Sequence, residues 1–300
     1  MNNLKEIKSN FGFKINKCKY CDNIRILDTD KGTFVAKKNN RDKNDLFKYL
    51  QTKNFNNFLN FYDYNSDYEI YPYINEIELT DEERAIDIIN LISILHNRTT
   101  FYKELDLDKI KELYEDLNNK LFYLTNYYDN LRIIFEDENY IAPSHYFLLR
   151  NISIVFRSID DSKHFVDKWY ESIKNKKNIR VVTIHNNLEL NHLLKGEDTY
   201  LISWDNSSKA SPIYDLLSLY KNSYQRIEFS SLFEIYNSKY PLTQEELYLL
   251  YALLLVPNKL DLQKSEIVNT KDVYLLTNYL IQTQEFVSKY NPEKANKQTD

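Results

Sequence analysis

The spacing of apolar residues changes near Thr80, and this change constrains the fold of the 300-residue chain. Before Thr80, residues 24–27 and 33–37 have the composition of β-strands. The turn sequence between them ends in Gly32, at a position where a turn requires a residue that tolerates a positive φ. After it, apolar residues at helical spacing follow a Thr80–Glu83 capping box. The pattern predicts a small β-rich part followed by a mainly helical part.

The other patterned segments complete this organisation. We predict further strands at 68–74, 180–184 and 200–204, and helices at 42–51, 80–96, 106–136, 143–176, 213–222, 229–238, 243–255 and 271–289. The expected domains are a β-rich N-terminal lobe with one helix at 1–75, a helical C-terminal lobe at 76–290 and a flexible tail at 291–300.

Glycine is scarce, which excludes several nucleotide-binding designs. The chain has 3 glycines, where average usage would supply about twenty. A dinucleotide-binding fold needs G-x-G-x-x-G and a P-loop needs G-x-x-x-x-G-K-[ST], because glycine lets the backbone approach phosphates closely. Neither motif occurs in the sequence.

Net charge and hydropathy exclude some classes of binding partner. The net charge of −5 gives no general attraction to nucleic acid or anionic lipid, so we expect neither as a partner. No apolar run reaches the roughly eighteen residues of a membrane span, and the N-terminus lacks a secretory signal pattern. We expect a cytoplasmic protein.

Cys18 and Cys21 have no second pair to complete a zinc site, and we interpret them as ordinary strand or loop cysteines.

Residues 184–217 carry the most informative sequence. This stretch contains His185-Asn186-Asn187-Leu188-Glu189-Leu190-Asn191-His192, then Ile202-Ser203-Trp204-Asp205, then Pro212-Ile213-Tyr214-Asp215-Leu216. It resembles the catalytic segment of the aminoglycoside phosphotransferase and choline kinase-like superfamily, closest to the spore-coat branch. The motifs there commonly read H-G-D-x-x-x-x-N, I-D-[WF]-E and P-x-x-D-L.

Segments outside this stretch agree with the resemblance in order and spacing. The hairpin 29–38 resembles the strand pair that presents the nucleotide-binding lysine, a role that would fall on Lys37 or, as the second choice, Lys38. Residues 68–74 resemble the strand before the interlobe hinge, and residues 95–103 resemble the end of the first helix of the large lobe. The resemblance implies an α+β, protein kinase-like two-lobe fold, with a small antiparallel β-rich N-lobe and a large, mainly helical C-lobe.

The motif positions that carry the catalytic and metal-binding groups in the family hold other residues in this sequence. By position, the catalytic base falls on Asn187, the asparagine metal ligand on His192 and the metal-binding aspartate on Ser203. An amide cannot act as a general base near neutral pH. Mg²⁺ is usually held by carboxylates and substrate phosphates, and imidazole suits softer metals better than magnesium. We therefore expect no catalytic residues, no metal site and no cofactor.

The positions that shape the loops are retained. His185 and Asp215 occupy loop-shaping positions of the family, and Asp205 keeps an acid where the family has glutamate. These residues predict a pseudokinase that acts as a binding or scaffold module, with a small molecule or a protein partner in the interlobe cleft. The resemblance to the spore-coat branch implies an association with a bacterial spore coat.

Two other functions stay open at this point. In an atypical ATP- and Mg²⁺-dependent small-molecule phosphotransferase, Lys37 would bind the phosphates, and Asp205 or Glu189 would replace the lost acids. Alternatively, His185 and His192 with Glu189 or Asp205 would form a metal site, although two histidines seven residues apart are not a recognised ligand spacing. A serine hydrolase has less support, because Ser203 lies outside a G-x-S-x-G elbow.

Overall fold

A computed structural model describes residues 11–21 and 24–291, so the last nine residues of the predicted tail lie outside the described residues. The strands are β1 Ile15–Cys21, β2 Ile24–Thr29, β3 Gly32–Lys38, β4 Asp63–Tyr64, β5 Tyr68–Pro72, β6 Phe101–Glu104, β7 Asn178–Ile184, β8 Leu193–Lys195, β9 Thr199–Leu201 and β10 Ser208–Ala210. The helices are α1 Asn44–Thr52, α2 Asp81–Thr99, α3 Leu107–Glu136, α4 Pro143–Ile173, α5 Ile213–Ser223, α6 Phe229–Lys239, α7 Gln244–Leu255 and α8 Glu266–Tyr290.

The chain forms two compact units. The first takes the described residues up to Thr100 with Val182–Ala210 and Ser218–Tyr240, and the second takes Phe101–Val181, Ser211–Leu217 and the described residues from Pro241 onward. The predicted fold class is confirmed, since an antiparallel sheet near the N-terminus precedes a mainly helical remainder. The lobe boundary near residue 75 stays a prediction.

The sheet of the first unit has the strand order β1-β2-β3-β5-β4, with every neighbouring pair antiparallel. The predicted hairpin is present as β2 and β3, and Gly32 has a φ of +120° at its turn. One face of the sheet carries an apolar core that includes Leu27, Phe34, Ala36 and Ile70. Because side chains alternate across a strand, Val35 and Lys37 lie on the opposite face.

The predicted capping box at the start of α2 is also present. The side chain of Thr80 accepts a hydrogen bond from the backbone N–H of Glu83, and the Glu83 carboxylate accepts one from the backbone N–H of Thr80. This arrangement satisfies two of the helix's N-terminal donors. Further along α2, the fully buried His96 ring lies with its Nδ1 2.7 Å from the Tyr236 hydroxyl of α6.

The segment 182–210 of the first unit differs from its prediction in detail. The strand expected at 200–204 ends at Leu201, because Ser203 has a left-handed backbone and residues 204–206 form a short 3₁₀ turn. Strand β8 was not predicted; it pairs with β9 as a hairpin. The short strand β10, also unpredicted, pairs with residues 182–184 of β7.

The second unit is built on long helices. Helix α4 packs against α3, α7 and α8. Ser158 and Ser162 of α4 are fully buried and donate hydrogen bonds to the backbone carbonyls of Leu255 and Ala252 on α7, which lets the two helices approach closely. In this unit β6 pairs with residues 178–181 of β7. No helix in the described part of the chain has the length and apolar content to cross a bilayer.

Candidate functional site

A cavity of about 250 Å³ lies in the first unit, between the sheet face that carries Val35 and Lys37 and the segment 194–204. We call it the cleft. Most of its lining is aliphatic or aromatic, contributed for example by Ile24, Ile26, Val35, Leu194, Leu201 and Ile202. Ligand sites are typically apolar concave pockets with a few placed polar groups. The cleft therefore has an apolar surface that can enclose an apolar chemical group.

Backbone hydrogen bonds fix the floor of the cleft beneath the sheet. The N–H of Leu201 donates to the carbonyl of Asn57 at 2.9 Å, and the N–H of Ile202 donates to the carbonyl of His192 at 2.9 Å. Asn57 also donates from its side chain to the carbonyl of Thr199 at 3.0 Å. Strand β9 and the residue after it are therefore held both by the segment after α1 and by the loop 185–192.

Gly196 allows the turn between β8 and β9 to pack tightly at one edge of the cleft. A Cβ at this position would lie 2.9 Å from Cγ2 of Ile74 and 3.3 Å from the carbonyl oxygen of Asn75. Next to this contact, the N–H of Ile77, two residues after Asn75, donates a hydrogen bond to the carbonyl of Lys195 at 2.8 Å. The turn between β8 and β9 thus packs directly on the segment that follows β5, and this contact needs a residue without a side chain.

One end of the cleft holds a lysine–carboxylate cluster of Lys37, Lys43, Glu69 and Asp205. The Lys37 ammonium lies 2.5 Å from Oδ2 of Asp205. Lys43, whose side chain is 2% exposed, lies 2.6 Å from Oε1 of Glu69 and 2.9 Å from Oδ1 of Asp205. The hydroxyl of Tyr71 donates to Oε2 of Glu69 at 3.0 Å. Each carboxylate oxygen of the cluster therefore has a cation or a donor beside it.

The cluster shifts the pKa values of its members. Burial raises the pKa of Asp205, but the hydrogen bonds and charges of Lys37 and Lys43 outweigh burial and hold it below its usual value. Burial and the neighbouring Glu69 carboxylate raise the pKa of Tyr71. Asp205 is therefore ionised at neutral pH, and Tyr71 is a neutral hydrogen-bond donor.

The backbone around Ser203 directs Asp205 toward the lysines. Ser203 has φ +67° and ψ +47°, a left-handed conformation that costs most L-residues about 1–2 kcal/mol. Trp204 follows it and is buried, with its indole N–H donating to the carbonyl of Leu201 at 2.8 Å. The chain thus turns sharply after β9, and Asp205 reaches Lys37. The Arg41 guanidinium supports this turn through the carbonyl oxygens of Asp205 and Ser207.

The loop 185–192, which resembles the family's catalytic loop, lies next to this turn. His185 is buried, and its Nε2 lies 2.7 Å from the carbonyl oxygen of Ile202. Asn186 has φ +59°, at the position where the motif that this loop resembles has glycine, and asparagine is among the few residues that adopt this conformation readily. The backbone oxygen of Asn187 lies 2.6 Å from Nδ1 of His192. Loop and turn are therefore tied together through His185.

The structure brings some of the predicted site residues together and separates others. Lys37 and Ser203 line the cleft and Asp205 pairs with Lys37, whereas Asn187 and His192 are not among the residues that line it. Glu189 lines a different, polar cavity of about 330 Å³ with Arg84 and Arg226. Lys38 lies at the exposed end of β3. Asp215 is fully buried in the first turn of α5, in the second unit.

Lys43 and Glu69 are members of the cluster that the sequence reasoning missed. A signal for Glu69 was available, because it is a charged residue within the apolar strand run 68–74, and buried carboxylates need a partner. In the sheet, Glu69 lies directly opposite Lys37. Nothing in the local sequence marks Lys43, which precedes α1 and is buried only by tertiary packing.

The cluster does not fit a magnesium ion. Mg²⁺ needs near-octahedral oxygen ligands, usually one or two carboxylates with phosphate and water. Both oxygens of Asp205 already face ammonium groups, and those of Glu69 face Lys43 and Tyr71. Over residues 11–21 and 24–291, no three His, Cys, Asp or Glu side chains converge in a way that could hold a metal. A metal would have to displace at least one lysine.

Comparison with solved structures identifies proteins that have the same fold as this chain. No protein-family model matches the sequence, and the curated proteins include no match either. Among solved structures, an aminoglycoside phosphotransferase from Alicyclobacillus acidocaldarius subsp. acidocaldarius is similar with a TM-score of 0.64 and 12% identity, over 92% of this chain and 93% of that one.

A second enzyme has the same fold. Spectinomycin phosphotransferase APH(9)-Ia in its AMP-bound complex gives a TM-score of 0.54 and 12% identity over 97% of this chain and 94% of that one. The same enzyme with ADP and spectinomycin gives 0.52 and 13% over 94% and 97%. The chain therefore has the same fold as these two phosphotransferases, in agreement with the fold that the motifs implied. At such low identity the likeness concerns the fold.

Proposed function

We propose that this protein is a non-catalytic kinase-fold module that binds a small ligand in the cleft and transfers no phosphate. The observation that carries the proposal is the pairing of Asp205, whose two carboxylate oxygens face Lys37 and Lys43. This is the one acid of the second motif, and it serves as a counter-ion for two lysines.

Two side chains that phosphoryl transfer uses, the catalytic base and a metal-binding carboxylate, are replaced in this sequence at Asn187 and Ser203. Such catalysis depends on positioning and on metal ions that neutralise developing charge, with an aspartate accepting the substrate proton. Asn187 offers no base, because an amide does not take a proton near neutral pH. Ser203 offers a neutral hydroxyl in place of a metal-binding carboxylate. The cleft therefore lacks the base and the metal-binding carboxylate that the family motifs carry.

The ligand-binding part of the proposal is supported by the apolar cleft and by the structural neighbours. The spectinomycin phosphotransferase is described in complexes with AMP and with ADP. Adenosine and ATP are therefore suitable first probes for the cleft. The proposal retains the cytoplasmic location and the spore-coat association implied by sequence resemblance, and detection of the protein in purified spore coats would test the latter.

Two measurements test the proposal. We expect adenosine or ATP to raise the melting temperature, since a ligand that binds the native state stabilises it by mass action. Val35→Trp, which fills the cleft, should abolish the shift, whereas Asp28→Trp at the exposed turn end of β2 should preserve it. ATP turnover should not exceed background with Mg²⁺ or Mn²⁺. Turnover that needs Mg²⁺ and is lost in Asp205→Ala would instead establish the phosphotransferase alternative.

Restoring the lost acids provides a second test. The left-handed backbone at position 203 suits aspartate, which is enriched in that region. Asn187→Asp combined with Ser203→Asp should therefore fold and raise Mg²⁺-dependent ATP binding at least tenfold. The matched control, Asn60→Asp with Ser208→Asp, adds the same charge at exposed sites and should leave binding unchanged. Equal behaviour of the two double variants would contradict the assignment of these positions.

A further inference from the structure

Helix α3 of the second unit buries one face and leaves the opposite face exposed. It packs on α4, and its buried residues are Leu117, Leu121, Leu124, Tyr128 and Phe135. The exposed residues on the other side of the helix are Asn119, Phe122, Tyr123, Asn126, Asn130, Ile133, Ile134 and, at the C-cap, Asp137. At 3.6 residues per turn they lie within about 120° of arc, so they form one continuous strip. We call this strip the outer face.

The outer face carries four large apolar side chains. Phe122 is 70% exposed and Tyr123 is 50% exposed, while Ile133 and Ile134 are 53% and 58% exposed. The Tyr123 hydroxyl accepts a hydrogen bond from the Lys259 ammonium at 2.6 Å, which leaves its ring half exposed. Contiguous apolar patches on a soluble protein mark interaction sites once they exceed a few hundred Å². The outer face is therefore a candidate surface for a protein partner.

The residues of the outer face are arranged symmetrically about the position of residue 128. The pairs of residues equally distant from that position are Phe122 with Ile134, Tyr123 with Ile133, Asn126 with Asn130 and Asn119 with Asp137. Each apolar residue thus has an apolar counterpart, and each asparagine has a polar one. A contact between two identical surfaces about a twofold axis requires this kind of self-complementary pattern. The outer face therefore fits a second copy of itself in antiparallel orientation.

We propose that the protein forms a homodimer in which the outer faces of two copies pack as antiparallel helices. The proposal concerns the second unit and does not depend on the proposed function of the cleft, which lies in the first. The aromatic rings of one copy then cover the isoleucines of the other, which removes apolar surface from water. Asn126 lies against Asn130 of the second copy, and the two amides can satisfy each other because each has donors and an acceptor.

Charge at the ends of the outer face favours the antiparallel order over a parallel one. Asp137 follows the C-terminus of α3, where the helix dipole disfavours a negative charge. Antiparallel packing places Lys120, which adjoins Asn119, next to Asp137 of the second copy. Parallel packing would instead place the two Asp137 carboxylates side by side, where like charges repel.

The size of the outer face indicates a weak dimer. From Asn119 to Asp137 the strip is about 27 Å long at the rise of an α-helix. A single helix pair of this length buries roughly 1,000 Å² in total, which is at the low end of specific protein interfaces. We therefore expect a dissociation constant on the order of 10–100 µM, so that monomer and dimer coexist in solution.

Sedimentation velocity of the full chain, over concentrations that bracket this dissociation constant, tests the proposal. We expect a concentration-dependent shift from monomer to dimer. Phe122→Glu and Ile133→Glu should each weaken the dimer at least tenfold, because each would bury a charge against an apolar side chain. The matched control is Leu107→Glu, at an apolar residue of the same helix that is 54% exposed but outside the outer face, and it should leave the dimer unchanged. Circular dichroism checks that all three variants fold.

Cysteine cross-linking tests the antiparallel order, in a background that replaces the free cysteines Cys18 and Cys21 by serine. A mixture of the Asn126→Cys and Asn130→Cys variants should form a disulfide-linked dimer, because these positions face each other across the twofold axis. Either variant alone should cross-link at least tenfold less, since equal positions are displaced along the two helices and a disulfide needs Cα atoms within about 7 Å.

Three results would overturn the proposal. The first is a protein that stays monomeric over the whole concentration range. The second is a dimer that Phe122→Glu and Ile133→Glu leave intact, which would place the interface elsewhere. The third is efficient cross-linking of Asn126→Cys with itself, which would contradict the antiparallel order. None of these results would bear on ligand binding in the cleft.

Discussion

The two ends of the cleft differ in what determines them. At the apolar end, side chains from β2, β3, β8 and β9 together form the walls, and any residue of similar size and hydrophobicity would keep the shape. At the polar end, four charged side chains depend on one another through specific contacts of 2.5 to 2.9 Å. The apolar end is therefore defined by shape, and the polar end is defined by specific charge pairs.

Lys43→Met should have the largest effect on stability. It leaves Glu69, which is 1% exposed, without its cation, and breaking a buried pair in this way typically costs about 3–5 kcal/mol. Urea unfolding measures the loss. Adding Glu69→Leu should recover more than half of it. Lys111→Met removes one partner of the exposed Lys111–Glu115 pair and should change stability by less than about 0.5 kcal/mol. Equal effects of the two lysine substitutions would show that the polar end is not a coupled unit.

Gly196→Ala tests the apolar end and should have the next largest effect. The added Cβ would lie 2.9 Å from Cγ2 of Ile74, and overpacking of this kind costs about 1–3 kcal/mol. Thermal unfolding measures the loss. Combining it with Ile74→Ala removes the contacted atom, so the two substitutions should cost less together than the sum of the single variants. Simple additivity would contradict the close packing of the β8–β9 turn on the segment after β5.

The backbone at Ser203 links the two ends, and substitutions there should have a moderate effect. A β-branched residue resists the left-handed conformation, so Ser203→Val should lower the free energy of unfolding by about 1–2 kcal/mol. Ser203→Asn should be nearly neutral, because asparagine adopts this region readily. Denaturant titration of the pair checks this order. If the valine variant proved as stable as the asparagine variant, the sharp turn after β9 would not hold Asp205 in place.

The sequence predicted the elements of this site better than the contacts within it. The hairpin that carries Lys37 follows from β-type runs around Gly32, and the motif around Asp205 follows from local spacing. The pairing of Lys43 with Glu69 and Asp205 joins three distant segments, and only tertiary packing brings them together. Likewise, the end of the strand at Leu201 depends on burial of Trp204 after the turn, which apolar patterning alone reads as a continued strand.

Acid titration should reveal the smallest effect, which comes from Asp205. Its pKa in the folded protein lies below the ordinary value of 3.8, so the unfolded chain binds the proton more readily. The lysines therefore contribute stability that is present above the ordinary pKa and is lost as the pH falls through the lower, folded pKa. The effect is small because burial opposes the lysines.

Denaturant unfolding of the wild type and of Asp205→Asn, from pH 6 to the lowest pH at which both fold, measures this contribution. The stability advantage of the wild type should shrink as the pH falls, since protonation removes the charge that the asparagine variant already lacks. A difference that stays constant with pH would mean that the ionised carboxylate contributes nothing to the polar end. The contrast between the two ends of the cleft would then rest on Lys43 and Glu69 alone.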